Sequence, residues 1–383
     1  MIITPITAEF VSDVAELVET ERGIAPHRLP AWVRRQFPDP QLLAMEGQPS
    51  GVRVRFTTQS REVALVSHAH RVVYRGADRP RGRVDVVVDG AFILSDPLSG
   101  GDATEVDLMT GQAVPRSGEP HVTQFALPEG THEVEIWLPH NEGLELLELR
   151  SDAALSPTTS RKPRWVHHGS SISHGSNALT PTEIWPAVAA RQAGLELKNL
   201  GLGGSSLVDP FMARVIRDTE ADLISVKFGI NVVNLDGMRL RTFVPAVHGF
   251  LDTIRDGQPQ TPIVLMSPIF CGIHENTPGP GAFDPSSIGS EQVRFVATGT
   301  EGDTAHGRLT LRVIRDALGD IAAQRQRDDT HLHFVDGLDL YSEADAKRFP
   351  LPDNLHPTAE AHALMGHRFA DRLLAGPHPL VAS

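Results

Sequence analysis

Ser151-Asp-Ala-Ala-Leu-Ser-Pro-Thr-Thr-Ser-Arg-Lys-Pro-Arg164 is polar, proline-containing and without apolar periodicity, the composition of a linker. The patterning on its two sides differs. Before it, short alternating runs at 52–58 (VRVRFTT), 62–66 (EVALV), 83–89 (RVDVVVD) and 132–138 (HEVEIWL) recur between Gly, Pro and Asp turns. That spacing predicts an antiparallel β-sandwich, jelly-roll-like in character. After it, compact apolar runs at 164–168, 197–200, 223–228, 263–267 and 332–335 are separated by helix-length segments. Strands alternating with helices predict an α/β domain, three layers deep (α/β/α), around a parallel sheet. The expected division is 1–160 for the sandwich, accessory or substrate-lining, and 161–383 for the catalytic domain.

A length of 383 residues also favours two domains, each large enough for its own core. With 40% hydrophobic and 22% charged residues the chain reads as globular. Its formal charge of -13, with no basic tract, argues against nucleic acid or an anionic membrane as partner and leaves a small ligand easier to place. The opening MIITPITAEF lacks a basic region followed by an apolar one, and no apolar stretch is long enough to span a bilayer. A soluble, cytoplasmic protein is expected. The single cysteine, Cys271, excludes an internal disulfide, and no CxxC pair suggests a zinc site.

Chemistry-bearing residues follow the expected strands, where open α/β sheets gather their ligand-binding groups. Gly169-Ser170-Ser171-Ile172 comes after the first strand and before a helical segment near 183–193, so Ser171 is expected close to a helix N-terminus. Asn199-Leu-Gly-Leu-Gly-Gly204-Ser-Ser follows the second, its glycines allowing a tight turn with outward N–H groups. Phe228-Gly-Ile-Asn231 ends the third with an amide donor. Near the C-terminus, Asp353-Asn-Leu-His356-Pro357 sets a carboxylate three residues before an imidazole. Such a carboxylate can fix the tautomer of a base that deprotonates a serine and stabilise its imidazolium. Taken together these residues predict serine acyl transfer.

Over about 164–374 these blocks, in this order, resemble the SGNH (GDSL-type) hydrolase superfamily. Gly169-Ser170-Ser171-Ile172 is similar to its Gly-Asp-Ser-Ile/Leu block, and the resemblance implies Ser171 as nucleophile. It also implies a triad of Ser171, Asp353 and His356, and an oxyanion hole formed by Ser171, Gly204 and Asn231. Two departures stand out: Ser170 replaces the usual aspartate before the nucleophile, and Val232 replaces the aspartate that often follows the asparagine. Neither removes a reacting group, but both alter the hydrogen bonding expected around the site loops. The chain looks most like two-domain actinobacterial members with a sandwich before the catalytic domain, and Ser267-Pro-Ile-Phe-Cys-Gly-Ile-His-Glu275 resembles a segment of theirs. Such members include carbohydrate and lipid esterases, and an acyltransferase that places salicylate on a tetracycline-type hydroxyl in antibiotic biosynthesis. The implied substrates are a small-molecule ester or thioester donor and either water or a hydroxylated acceptor, with no cofactor. Oligomeric state is not readable.

Plainer roles exist for the same residues. Ser171 could be a helix N-cap, His356 a packing histidine before a helix whose first turn Pro357 suits, and Gly204 a turn residue. A lone cysteine after an apolar strand, such as Cys271, is a small buried residue more often than a nucleophile. His68/His70 and His331/His333 each put two imidazoles on one strand face, but no third ligand can be named and acyl-serine chemistry needs no metal. His167 and His168, beside the nucleophile, could line the pocket or satisfy backbone groups. The Gly-, Pro- and Ser-rich stretch 272–302 reads as a lid over the acceptor site. A noncatalytic carbohydrate-binding protein with a degenerate SGNH domain is the alternative, opposed by retention of Ser171, Asp353 and His356. GxGxxG and GxSxG spacings are both absent.

Overall fold

The computed structural model describes residues 1–75, 80–107, 110–290 and 292–375. They form two compact units. The first is Met1–Arg161 with Thr180–Thr182, and the second takes Lys162–Leu179 and the chain from Glu183 onward.

In the first unit, alternation along the strands puts Val54, Phe56, Val84, Val86, Val134 and Ile136 into one shared core with Val63, Leu65, Leu144, Leu146 and Leu149. These residues belong to two sheets. One is built around Arg53–Thr58, His132–Trp137 and Arg83–Val88, and the other around Glu62–Tyr74 and Gly143–Ser151. Pairing is antiparallel throughout except where Glu62–Tyr74 runs parallel to Asp102–Val106. The sandwich expected before the linker is therefore present. His68 and His70 share a strand face but each takes a carboxylate, His68 Nε2 at 3.0 Å from Asp102 and His70 Nε2 at 2.9 Å from Glu145. Among the described residues no group of three or more His, Cys, Asp or Glu is placed to hold a metal.

The second unit is a five-stranded, all-parallel sheet. Its strands are β1 (Arg164–Gly169), β2 (Glu196–Gly201), β3 (Leu223–Lys227), β4 (Ile263–Met266) and β5 (Leu332–Val335), in the order β2-β1-β3-β4-β5. Helices cover both faces, as a sheet of near-continuous apolar strands requires. Trp165 and His167 point to the face holding α2 (Trp185–Ala193) and α7 (Ala359–Leu374), where Trp165 stacks on Phe369 at 5.2 Å. His168 points the other way and stacks on Phe250 of α5 (Leu240–Gly257) at 6.2 Å. The unit also contains helices α1 (Ser171–His174), α3 (Pro210–Arg217), α4 (Ile230–Asn234) and α6 (Leu311–Arg325).

Two local details differ from expectation. The helix expected near 183–193 is α2, but the helix N-terminus at the nucleophile candidate belongs to an additional single turn, α1, which starts at Ser171. Pro357 precedes α7 instead of entering its first turn, because Thr358 is the N-cap and accepts from Ala361 N.

Candidate active site

The site is built at the C-terminal ends of β2, β1 and β3, which lie side by side. β1 passes straight into α1, and Ser170 caps that turn by accepting from Ile172 N at 3.4 Å. The serine found where an aspartate was expected thus performs the capping task, and Ser171 becomes the first helical residue, with 8% of its surface exposed. Gly201 ends β2 with no room for a side chain: a Cβ there would lie 2.4 Å from the backbone nitrogen of His174. That close approach seats α1 on the end of β2.

Ser171 Oγ lies 2.9 Å from His356 Nε2, and His356 Nδ1 lies 2.7 Å from Asp353 Oδ2. The other carboxylate oxygen, Oδ1, accepts from the backbone N–H of His356 at 2.7 Å and of Leu355 at 2.9 Å. Burial alone would raise the Asp353 carboxyl, but the His356 contact and the two amides outweigh it and hold it below its ordinary range. An ionised Asp353 requires the proton on His356 Nδ1, which leaves Nε2 as an acceptor aimed at the Ser171 hydroxyl. An imidazole so held can take that proton and return it. Asn354, between acid and base, adopts φ 67°, a left-handed conformation that asparagine tolerates and that closes the loop.

Gly204, with φ 70°, turns the chain after β2, and Asn231 lies in the first turn of α4 after β3. β1 runs between those two strands. One hydrogen bond crosses in front of it: Ser206 N donates to Asn231 Oδ1 at 3.1 Å. With its oxygen so engaged, the Asn231 amide directs its NH2 the opposite way, while Val232, where the family often has aspartate, is fully buried.

His167 and His168 do not line a pocket. Both are fully buried, and their ring nitrogens are used internally. His167 bonds Ser225 Oγ at 2.7 Å and Ser173 Oγ at 2.8 Å, and burial drives it well below its ordinary value, so it is neutral. His168 Nδ1 donates to Leu200 O at 2.8 Å, which leaves Nε2 to accept from Ser206 Oγ at 3.2 Å. His168 therefore props the loop whose next contact is Asn231. Cys271 is also enclosed; burial raises its thiol to about 12, and its Sγ donates to Asn354 O at 3.3 Å.

Several neighbours carried no sequence signal. Phe295 meets the His356 ring edge-on with centroids 5.8 Å apart, and its backbone N donates to Asp353 O at 2.8 Å. His362 of α7 accepts from Trp185 N and donates to Ser176 O, and burial lowers it to about 4. Lys227, at the end of β3, is 4% exposed and lowered by burial to about 8. A lysine within an apolar strand looks like a strand end, so its burial was not visible in advance.

The profile of the GDSL-like lipase/acylhydrolase family matches residues 168–364, just over half of the chain, and that of the SsfX3 N-terminal domain matches residues 11–146. Among solved structures, the salicylyl-acyltransferase SsfX3 from a tetracycline biosynthetic pathway is similar at 26% identity. The match covers 97% of this chain and 95% of that one, with a TM-score of 0.75. A GDSL-like lipase from Bacteroides ovatus is 19% identical, with 96% of each chain covered and a TM-score of 0.67. A family two carbohydrate esterase from Clostridium thermocellum, in complex with cellohexaose, is 14% identical, with coverage of 85% and 92% and a TM-score of 0.56. These last two are likenesses of fold alone. No curated protein matches the chain.

Proposed function

Because the chain belongs to the GDSL-like lipase/acylhydrolase family, whose enzymes carry out acyl transfer, we propose that it moves an acyl group through an ester on Ser171, to the hydroxyl of a small-molecule acceptor. His356 Nε2 takes the Ser171 proton as Oγ attacks the carbonyl carbon of an ester or thioester, and Asp353 holds the imidazolium that forms. The tetrahedral oxyanion is bound by the N–H groups of Ser171 and Gly204 and by the Asn231 amide. His356 then protonates the leaving oxygen or sulfur, and the acyl-serine remains. In the second half the acceptor O–H gives its proton to His356, its oxygen bonds the acyl carbon, and Ser171 Oγ leaves and is reprotonated.

The observation that carries this reading is the unbroken line from Ser171 Oγ to His356 Nε2 at 2.9 Å and from His356 Nδ1 to Asp353 at 2.7 Å. Transfer rather than hydrolysis is favoured by the similarity to SsfX3 along nearly the whole chain, N-terminal unit included. A salicyl-type acyl group and a polyketide hydroxyl are accordingly the first substrates to try.

The test is intact mass of wild type and Ser171→Ala after mixing with short-chain and aromatic acyl thioesters, followed by a chase with water or with alcohols. An adduct on wild type only, persisting in water and released by an alcohol, is expected. Rapid clearance by water would make the protein an esterase, and equal turnover by Ser171→Ala would remove the serine mechanism.

A further inference from the structure

The base is flanked by a two-stranded hairpin that holds a large aromatic side chain half in water. Its strands, Gly281–Phe283 and Phe295–Ala297, pair antiparallel with Phe283 opposite Phe295. One end is hydrogen-bonded to the acid–base loop and the other packs closely against α4. At one end Phe295 N donates to Asp353 O at 2.8 Å, and Asn354 Nδ2 donates to Phe295 O at 3.2 Å. At the other, Gly279 and Gly281 leave no room for a side chain against α4: Cβ atoms there would meet Val233 O and, at 2.6 Å, Asn234 Oδ1. His274 Nε2 bonds that same Asn234 Oδ1 at 2.7 Å. The hairpin therefore joins the acid–base loop to the helix carrying Asn231.

From this frame two rings step away from the base. Phe295 stands edge-on to His356 at 5.8 Å, and Phe283 lies against Phe295 at 5.0 Å with 37° between ring planes. Phe295 is half-buried, whereas Phe283 keeps 50% of its surface in water; Ile288, in the connection between the two strands, is 46% exposed. A large aromatic residue held in water by a fixed hairpin forgoes burial that folding would otherwise reward. Through Phe295 it is one ring removed from the imidazole whose Nε2 delivers and receives the acceptor's proton in the proposed mechanism.

We propose that the Phe283–Phe295 pair is the binding site for the acyl acceptor, and that the acceptor is a flat aromatic compound bearing a hydroxyl, its ring offset-stacked on Phe283. This rests on the acyl-serine mechanism above. Acceptor and leaving group exchange protons with the same nitrogen in opposite halves of the reaction, so an ester of an aromatic alcohol occupies the same place as that alcohol. Rings with centroids 4.5–7 Å apart in offset or edge-to-face geometry attract beyond their buried area, and the Phe283–Phe295 spacing already falls in that range.

The experiment compares wild type, Phe283→Ala and Phe283→Tyr with 2-naphthylmethyl acetate and hexyl acetate, whose leaving alcohols have similar acidity. Binding of 2-naphthalenemethanol to each protein is measured in parallel by its fluorescence. Phe283→Ala is expected to lower the aromatic-to-aliphatic ratio of kcat/KM about tenfold and to weaken 2-naphthalenemethanol by a similar factor, about 1.4 kcal/mol. Phe283→Tyr should restore both. An equal loss on the two esters, or an unchanged ratio with unchanged alcohol binding, would overturn the subsite. If neither ester is turned over through Ser171 yet the alcohol binds in a Phe283-dependent way, the mechanism fails while the aromatic site stands.

Discussion

Asn231 supplies one of the three proposed oxyanion donors, through an amide whose oxygen accepts from Ser206 N. Removing that amide should lower kcat/KM by roughly 10² to 10³, as losing one such donor does elsewhere, while acyl adducts still form on Ser171; steady-state kinetics of Asn231→Ala measures it. Ser206→Ala keeps its backbone N–H but loses the hydroxyl that rests on His168, so a smaller loss is expected. Cys271 offers the opposite case. With its thiol near 12 and its sulfur buried, it should remain unalkylated by iodoacetamide at pH 8 in folded protein and react only on unfolding, read by mass. These residues were legible to different degrees. Ser171, Gly204, Asn231, Asp353 and His356 could be named because each sits in a short motif just past a strand. Ser206 appeared only as the tail of a glycine-rich run, and Phe295 lies 61 residues before His356 with nothing local to connect them.

At the scale of elements, the parallel sheet was readable because its strands are compact apolar runs separated by helix-length segments. The turns were less so. The one-turn helix at Ser171 depends on Ser170 as a cap and on Gly201 as a gap, and only the first is a local signal. Gly201→Ala should therefore cost more than a Gly-to-Ala change in an open strand: the Cβ meets backbone of α1 that cannot swing aside. A loss of about 2 kcal/mol is expected, with overpacking strain as the cause, together with weakened acylation because Ser171 moves with its turn. Urea denaturation and adduct formation on the same variant check both. The segment 272–302, expected as a lid, holds a short helix and a paired hairpin, local structure that hydrophobic periodicity in three-residue strands is too short to announce.

Over the whole molecule, burial of ionisable groups tilts stability with pH. His362 is neutral and lowered to about 4 in the folded state, so between its ordinary value near 6.5 and that point only the unfolded chain takes up the proton. Stability should therefore fall as pH drops from about 6.5 to 4, by up to about 3 kcal/mol from this residue. His167 acts in the same direction. Asp353 adds a further loss at lower pH, because its depressed carboxyl is ionised in the fold and must be protonated as acid is added. Lys227 tilts the alkaline side: lowered to about 8, it loses its proton in the folded state first, so stability gains between about 8 and 10.5. Replacing the ammonium by an isosteric apolar chain, Lys227→Met, should raise Tm at pH 7 and raise it less at pH 10, measured by calorimetry across the range. The net charge of -13 foretold none of this, because it counts charges without saying which are enclosed.

The hairpin beside His356 is held by an amide, a carbonyl and two glycines, none of which depends on what side chains stand at 283 and 288. Mutation can therefore try one residue after another at those positions while the bond-making machinery stays intact. A lineage with this scaffold can change customers without relearning its trade.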